Sequence, residues 1–153
     1  NLGEHTLWCK HSCFHNAIQS ALIIKSPTIK GGMSTHSLAS FVDIYPTVSD
    51  LAGLETPDHL VGKSLVPILN DPSYEVNTHV FARWQNGETI KDDQYAYTQY
   101  YDKQGNVTSS MLYDHEQDPE ENVNVALQPE YQEEIAELRK KLEEHISNRT
   151  KEQ

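Results

Sequence analysis

The sequence predicts an α/β chain in which the edge of a large mixed sheet leads into a small antiparallel sheet with a packed C-terminal helix. Three observations predict it. A β-branched, apolar run from Ser20 to Lys25, ending at Ser26-Pro27, has the consecutive apolar positions of a strand buried on both faces. Three further strand-like runs, Thr78 to Trp84, Gln94 to Tyr101 and Ser110 to Tyr113, are separated by Gln85-Asn86-Gly87 and Lys103-Gln104-Gly105-Asn106, whose residues tolerate positive φ. From Pro129 to about His145, Tyr131, Ile135, Leu138, Leu142 and Ile146 recur on one helical stripe.

The remaining elements follow in chain order. Residues 1–20 mix Gly, His, Trp, Cys and Lys without a period and read as a loop feeding a short helix, the kind of irregular segment that lines a site. A turn follows at Gly31-Gly32. From Leu38 to Ala52, Phe41, Tyr45, Val48 and Leu51 recur at helical spacing, Asp43 can cap, Pro46 falls in the first turn and Gly53 supplies the stop. Leu54 to Ser73 holds three prolines, yet Leu60, Val61, Leu65, Val66, Ile68 and Leu69 make it a packed connector. The carboxylate-rich stretch Asp114 to Glu121 lacks the D-x-D-x-D-G order of a calcium loop and reads as a solvated acidic turn. The tail from Asn148 to Gln153 is expected to fray. Residues 1–73 are read as the end of a large α/β domain, and 74–153 as a small subdomain of meander plus helix.

Composition removes several function classes. The 153 residues suit one domain, or a piece of one. Twelve Lys and Arg against 23 Asp and Glu give a net charge of −11, which argues against nucleic acid as a partner, since such proteins need a basic footprint. No apolar run approaches the length of a membrane span. Cys9 and Cys13 are too few for a disulfide framework and lack CxxC spacing; they read as small buried thiols, with a transition-metal site such as zinc beside His5, His11 and His15 as the weaker alternative. The chain opens without Met or a signal-peptide pattern, so an upstream region is expected.

Three stretches resemble the type I sulfatases of the alkaline phosphatase superfamily. The first, Asn1 to Lys10, is similar to a family segment in which Gly-Glu-His precedes an active-site Lys. The second is Phe41 to Gly53 with Gly62-Lys63-Ser64-Leu65 downstream, and the third is Leu112 to Ala126, with its Asp-Pro-x-Glu-x-x-Asn turn. Their order and spacing match the C-terminal third of such an enzyme, with the alkaline phosphatase-like sulfatase fold. The Leu-Gly-Glu-His run and the Lys10 spacing resemble the iduronate-2-sulfatase-like group, which acts on sulfated sugars.

The resemblance implies a calcium ion and a formylglycine supplied upstream, with no metal ligand in this segment. Neither Cys9 nor Cys13 lies in the Cys-x-Pro-x-Arg setting of a formylglycine precursor. The implied partners are the N-terminal part of the same sulfatase and a sulfated carbohydrate, in a periplasmic, secreted or lysosomal parent protein. Alone, the segment is expected to hydrolyse nothing, because a positioned cation without a nucleophile leaves most of the barrier standing. A non-catalytic carbohydrate-binding or interaction module, and a phosphodiesterase or phosphonate hydrolase of the same superfamily, are the alternatives.

A sulfate monoester needs fixed cations aimed at its oxygens, and on the resemblance Lys10 is the candidate catalytic and sulfate-binding residue. His5 and His11 flank it and could contact substrate or orient it. Arg83 and Trp84 end a predicted strand, where a guanidinium could pair with a carboxylate and an indole could stack on a sugar; a surface charge and a core anchor are the alternatives. Lys91 stands where relatives of this type carry Arg, which removes a planar fork.

Overall fold

In a computed structural model, residues 1–151 are described, with side chains through Arg149. The helices are α1 (His15–Ile18), α2 (Ile44–Leu51), α3 (Val66–Asn70) and α4 (Gln132–Lys151), and the strands are β1 (Val80–Trp84), β2 (Gly87–Lys91), β3 (Tyr95–Tyr101) and β4 (Val107–Asp114). Contacts divide the chain into two compact units, residues 1–20 with 81–153, and residues 21–80. No helix among the described residues is long and apolar enough to cross a membrane.

In the first unit the four strands form one sheet in the order β1-β2-β3-β4. Thr89 lies opposite Thr98, and Tyr97 opposite both Ile90 and Leu112, until a register shift at Tyr100 and Tyr101. The β3–β4 turn is built by Asp102, whose carboxylate accepts the backbone N–H groups of Gln104 and Asn106, while Gly105 takes a φ of 86°. Ile90, Tyr97 and Leu112 bury against Ala126 and the α4 stripe Ile135, Leu138 and Leu142, with Tyr131 and Ile146 packed at the margins. The helical period read in the sequence is therefore the buried face of α4. The expected fraying at Asn148 does not occur, since α4 runs through Lys151; Glu152 and Gln153 lie outside the described residues.

β2 was not among the three strands the sequence predicts. Gly, Glu and Lys disfavour strands, yet Gly87, Glu88, Thr89 and Ile90 are all buried. Glu88 tolerates burial because Arg149 clamps both its oxygens, at 2.6 and 3.1 Å, and Arg83 approaches at 3.2 Å. A second expectation also changes. Asp114 and Glu121, the ends of the acidic turn, are buried rather than solvated, because their oxygens accept hydrogen bonds from Glu116, Gln94, His15 and His115.

The run from Ser20 to Lys25, which opens the second unit at Ala21, forms no ladder, and Ile23 is 91% exposed. A strand is stabilised by a neighbour's backbone, and none pairs with this run among the described residues. The helix predicted from Leu38 to Ala52 is a 3-10 turn, Phe41–Asp43, continued by α2, and Gly53 stops it at a φ of 66°. Its buried face is polar. Asp43 accepts the backbone N–H groups of Ser40 and Lys63, each at 2.8 Å, and the Asn77 amide, while Thr47 accepts that of Leu65. Phe41, Tyr45 and Val48, which mark the helix in the sequence, face outward. The connector packs as expected through Leu65 and Ile68, and a Cβ at Gly62 would overlap the Val42 carbonyl.

Candidate functional site

The segment before Lys10 closes on itself. The Asn1 nitrogen donates to the Cys9 carbonyl at 2.8 Å, the Cys9 N–H returns a bond to the Asn1 carbonyl at 3.0 Å, and Leu2 and Trp8 form an antiparallel bridge. Inside it the Gly3 N–H reaches the Leu7 carbonyl, and the Leu2 N–H donates to the Glu4 carboxylate. Closing so short a loop forces His5, Thr6 and Cys9 to positive φ, at 53°, 60° and 68°. Three non-glycine residues in that region store strain, as ligand clamps do. Lys10 follows directly. It is exposed and has no hydrogen bond or ion pair among the described residues.

Residues 11–15 dock this loop on the sheet. His11 stacks on Trp84, with ring centroids 4.9 Å apart and planes 8° from parallel. Cys13 is buried where Gly87 leaves room: a Cβ there would stand 2.8 Å from the Cys13 Sγ and 2.8 Å from Tyr100. Burial and the adjacent Cys13 push the Tyr100 phenol up to about 12. Cys9, by contrast, is exposed. His5 stacks on Phe14 at 3.9 Å, and Phe14 meets Tyr113 at 5.7 Å. The structure thus brings His11 and Trp84 together, sets Lys10 beside them in the chain, and gives His5 a separate partner. Arg83 reaches Glu88 and the Gln85 carbonyl through Nε, with its side chain more than half exposed. Two surface hollows of about 440 and 450 Å³, by Lys140 to Asn148 and by Ile23 to Pro72, are not lined by Lys10.

Behind the loop lies a part-buried polar chain absent from the candidate residues. Lys91 Nζ lies 2.7 Å from His115 Nδ1, and His115 Nε2 lies 2.8 Å from Glu121 Oε1. Glu121 Oε2 accepts the His15 backbone N–H at 2.7 Å, across 106 residues of sequence. Burial lowers the Lys91 pKa. Burial, then the Lys91 charge, lowers that of His15, whose Nδ1 is enclosed without a hydrogen-bond partner. The Asp-Pro-x-Glu spacing held the signal for Glu121, but its meaning depended on β2, which sequence patterning passed over.

A family model described as N-sulphoglucosamine sulphohydrolase, C-terminal, matches residues 3–148. The chain belongs to this sulfatase family. It is 30% identical to arylsulfatase K of Xenopus laevis over 91% of this chain and 28% of that protein. It is 29% identical to Delta 4,5-hexuronate-2-O-sulfatase of Bacteroides thetaiotaomicron over 95% of this chain and 32% of that protein. The chain therefore spans about a third or less of these relatives. In fold it resembles the phosphonate monoester hydrolase of Silicibacter pomeroyi, with a TM-score of 0.81 at 23% identity over 96% of this chain and 32% of that one.

Lys10, which has no ion pair among the described residues, directly precedes in the chain the His11 that stacks on Trp84. Among the described residues no three His, Cys, Asp or Glu side chains converge as a metal site. His15 gives this segment a pH signature. Its folded pKa lies below its ordinary 6.5, so between those values the unfolded chain binds more protons and stability rises with pH. Stability is lost as pH falls through the folded value. His15→Asn should flatten that dependence, read as a smaller change in urea midpoint between about pH 5 and about pH 7.5.

Proposed function

We propose that this chain is the part of a sulfatase that holds the sulfate group of a sulfated sugar, with Lys10 as the cation that grips it. The observation that supports the reading is Lys10 itself: in a chain of net charge −11, it has no ion pair among the described residues and directly follows a strained, closed loop. A compact ammonium with three donors suits a tetrahedral oxyanion, and its charge is worth more as a substrate excludes water. Formylglycine and calcium, from the N-terminal part of the same polypeptide, would supply the nucleophile and the Lewis acid.

The residues beside Lys10 suit a sugar. The indole of Trp84, braced by His11, presents an apolar face for a ring to rest on. Arg83 binds Glu88 and Gln85 through Nε, so its terminal nitrogens remain for a uronate carboxylate. The likeness to a hexuronate-2-O-sulfatase supports 2-O-sulfated uronates as substrates.

The test uses the polypeptide in which this chain is joined to its N-terminal sulfatase portion. It should turn over a 2-O-sulfated unsaturated hexuronate disaccharide with a kcat/KM at least ~10²-fold above that for a phosphonate monoester. Phosphonate turnover equal to or above sulfate turnover would overturn the reading.

A further inference from the structure

We propose that Glu121 is a positioning residue for Lys10, acting through the His15 backbone N–H and oriented by a donor chain that runs from Lys91 through His115. This rests on Lys10 being the sulfate-binding cation. Glu121 is 2% exposed and takes a φ of 57°. A buried carboxylate is costly unless fully hydrogen-bonded, and the left-handed region is costly for any residue with a side chain. Both costs are met at a turn outside the apolar core. Their product is one bond from a carboxylate to the chain five residues beyond Lys10.

The direction of the hydrogen bonds follows from Lys91. An ammonium has no acceptor, so Lys91 donates to His115 Nδ1, and the remaining imidazole proton sits on Nε2 and is given to Glu121 Oε1. Glu121 then accepts at both oxygens, from His115 and from the His15 backbone. Every group in the chain has one consistent role. The other groups facing this cluster are the His15 ring, 5.1 Å from that of His115, and the charges of Asp92, Asp93 and Glu120. Tyr113, whose phenol is pushed up to about 12 by burial and by the Glu121 charge, completes the surround. With Glu121 in place, α1 has a fixed start, and the segment from His11 to His15 that follows Lys10 is held at its far end, beyond the buried Ser12 and Cys13. Its near end is held by the stacking of His11 on Trp84.

The experiment is a double-mutant cycle on the full polypeptide, reading competitive inhibition by inorganic sulfate. Glu121→Gln places an amide donor against a donor and should raise the sulfate inhibition constant by about 10-fold, by the usual sensitivity of a site to misplacement. Combined with Lys10→Ala, it should add nothing further, because a mispositioned side chain that is already absent has no effect. Lys91→Met, which removes only the far donor, should weaken sulfate in the same direction by a smaller factor, with Lys91→Arg restoring it. It also keeps the cycle readable if Glu121→Gln fails to fold. If Lys10→Ala leaves sulfate inhibition unchanged, the sulfate-binding reading fails. If Lys10→Ala weakens it but the Glu121 and Lys91 variants do not, or if their effects multiply with it, the positioning role alone is overturned.

Discussion

Lys10→Ala, in the polypeptide that joins this chain to its N-terminal sulfatase portion, is expected to lower kcat/KM for a sulfate ester by about 10²- to 10³-fold, the loss seen when one preorganised donor to an oxyanion is removed. The size follows from the setting. Lys10 has no carboxylate partner among the described residues to keep it elsewhere, and the loop behind it is closed by the Asn1–Cys9 bonds before any substrate arrives. Little ordering remains to offset its charge when sulfate binds. Lys10→Arg should recover only part of the loss, because a planar fork does not reproduce a point charge of three donors. The unfolding midpoint should stay within experimental error, since the side chain is exposed. Steady-state kinetics with a 2-O-sulfated disaccharide, alongside thermal melts, check both halves.

The second large effect is on stability. Leu142 is fully buried, in the cluster that joins α4 to Ile90, Tyr97 and Leu112. Leu142→Ala removes apolar contact and leaves a cavity that sheet and helix cannot both relax into, and should cost about 2–5 kcal/mol. Because strands cannot slide toward α4 without breaking their ladder, the upper part of that range is expected. Urea unfolding followed by tryptophan emission is a suitable probe, since Trp84 lies in the same unit. By the same reasoning Phe41→Ser, at a position 70% exposed in the 3-10 turn before α2, should change the midpoint little.

What was legible in the sequence divides along physical lines. The α4 stripe and the β3 and β4 runs were readable because their apolar period coincides with the face they bury. β2 was not, because it opens with Gly87 and Glu88, and the burial of Glu88 rests on an ion pair with Arg149, 61 residues away, that no local pattern reports. The stripe on α2 marked a helix correctly, yet the buried side of that helix is held by Asp43 and Thr47 through hydrogen bonds, and periodicity counts only apolar groups. The run from Ser20 to Lys25 has strand chemistry without a ladder, which shows that β-propensity describes a surface awaiting a partner more than a backbone state.

The candidate site was partly legible. Trp84 and His11 were each singled out, but their stacking joins residues 73 positions apart, and spacing cannot predict it. Glu121 was read as part of a solvated turn, and its burial depends on two donors, His115 within the turn and His15 from 106 residues away, with Lys91 of β2 behind His115. Charge alone pointed outward; hydrogen bonding turned it inward.

The most direct measurement is a crystal structure of the full polypeptide with inorganic sulfate bound. The Lys10 Nζ is expected within about 3 Å of a sulfate oxygen, at hydrogen-bonding distance. A sulfate held without Lys10, its ammonium pointing into bulk solvent, would contradict it.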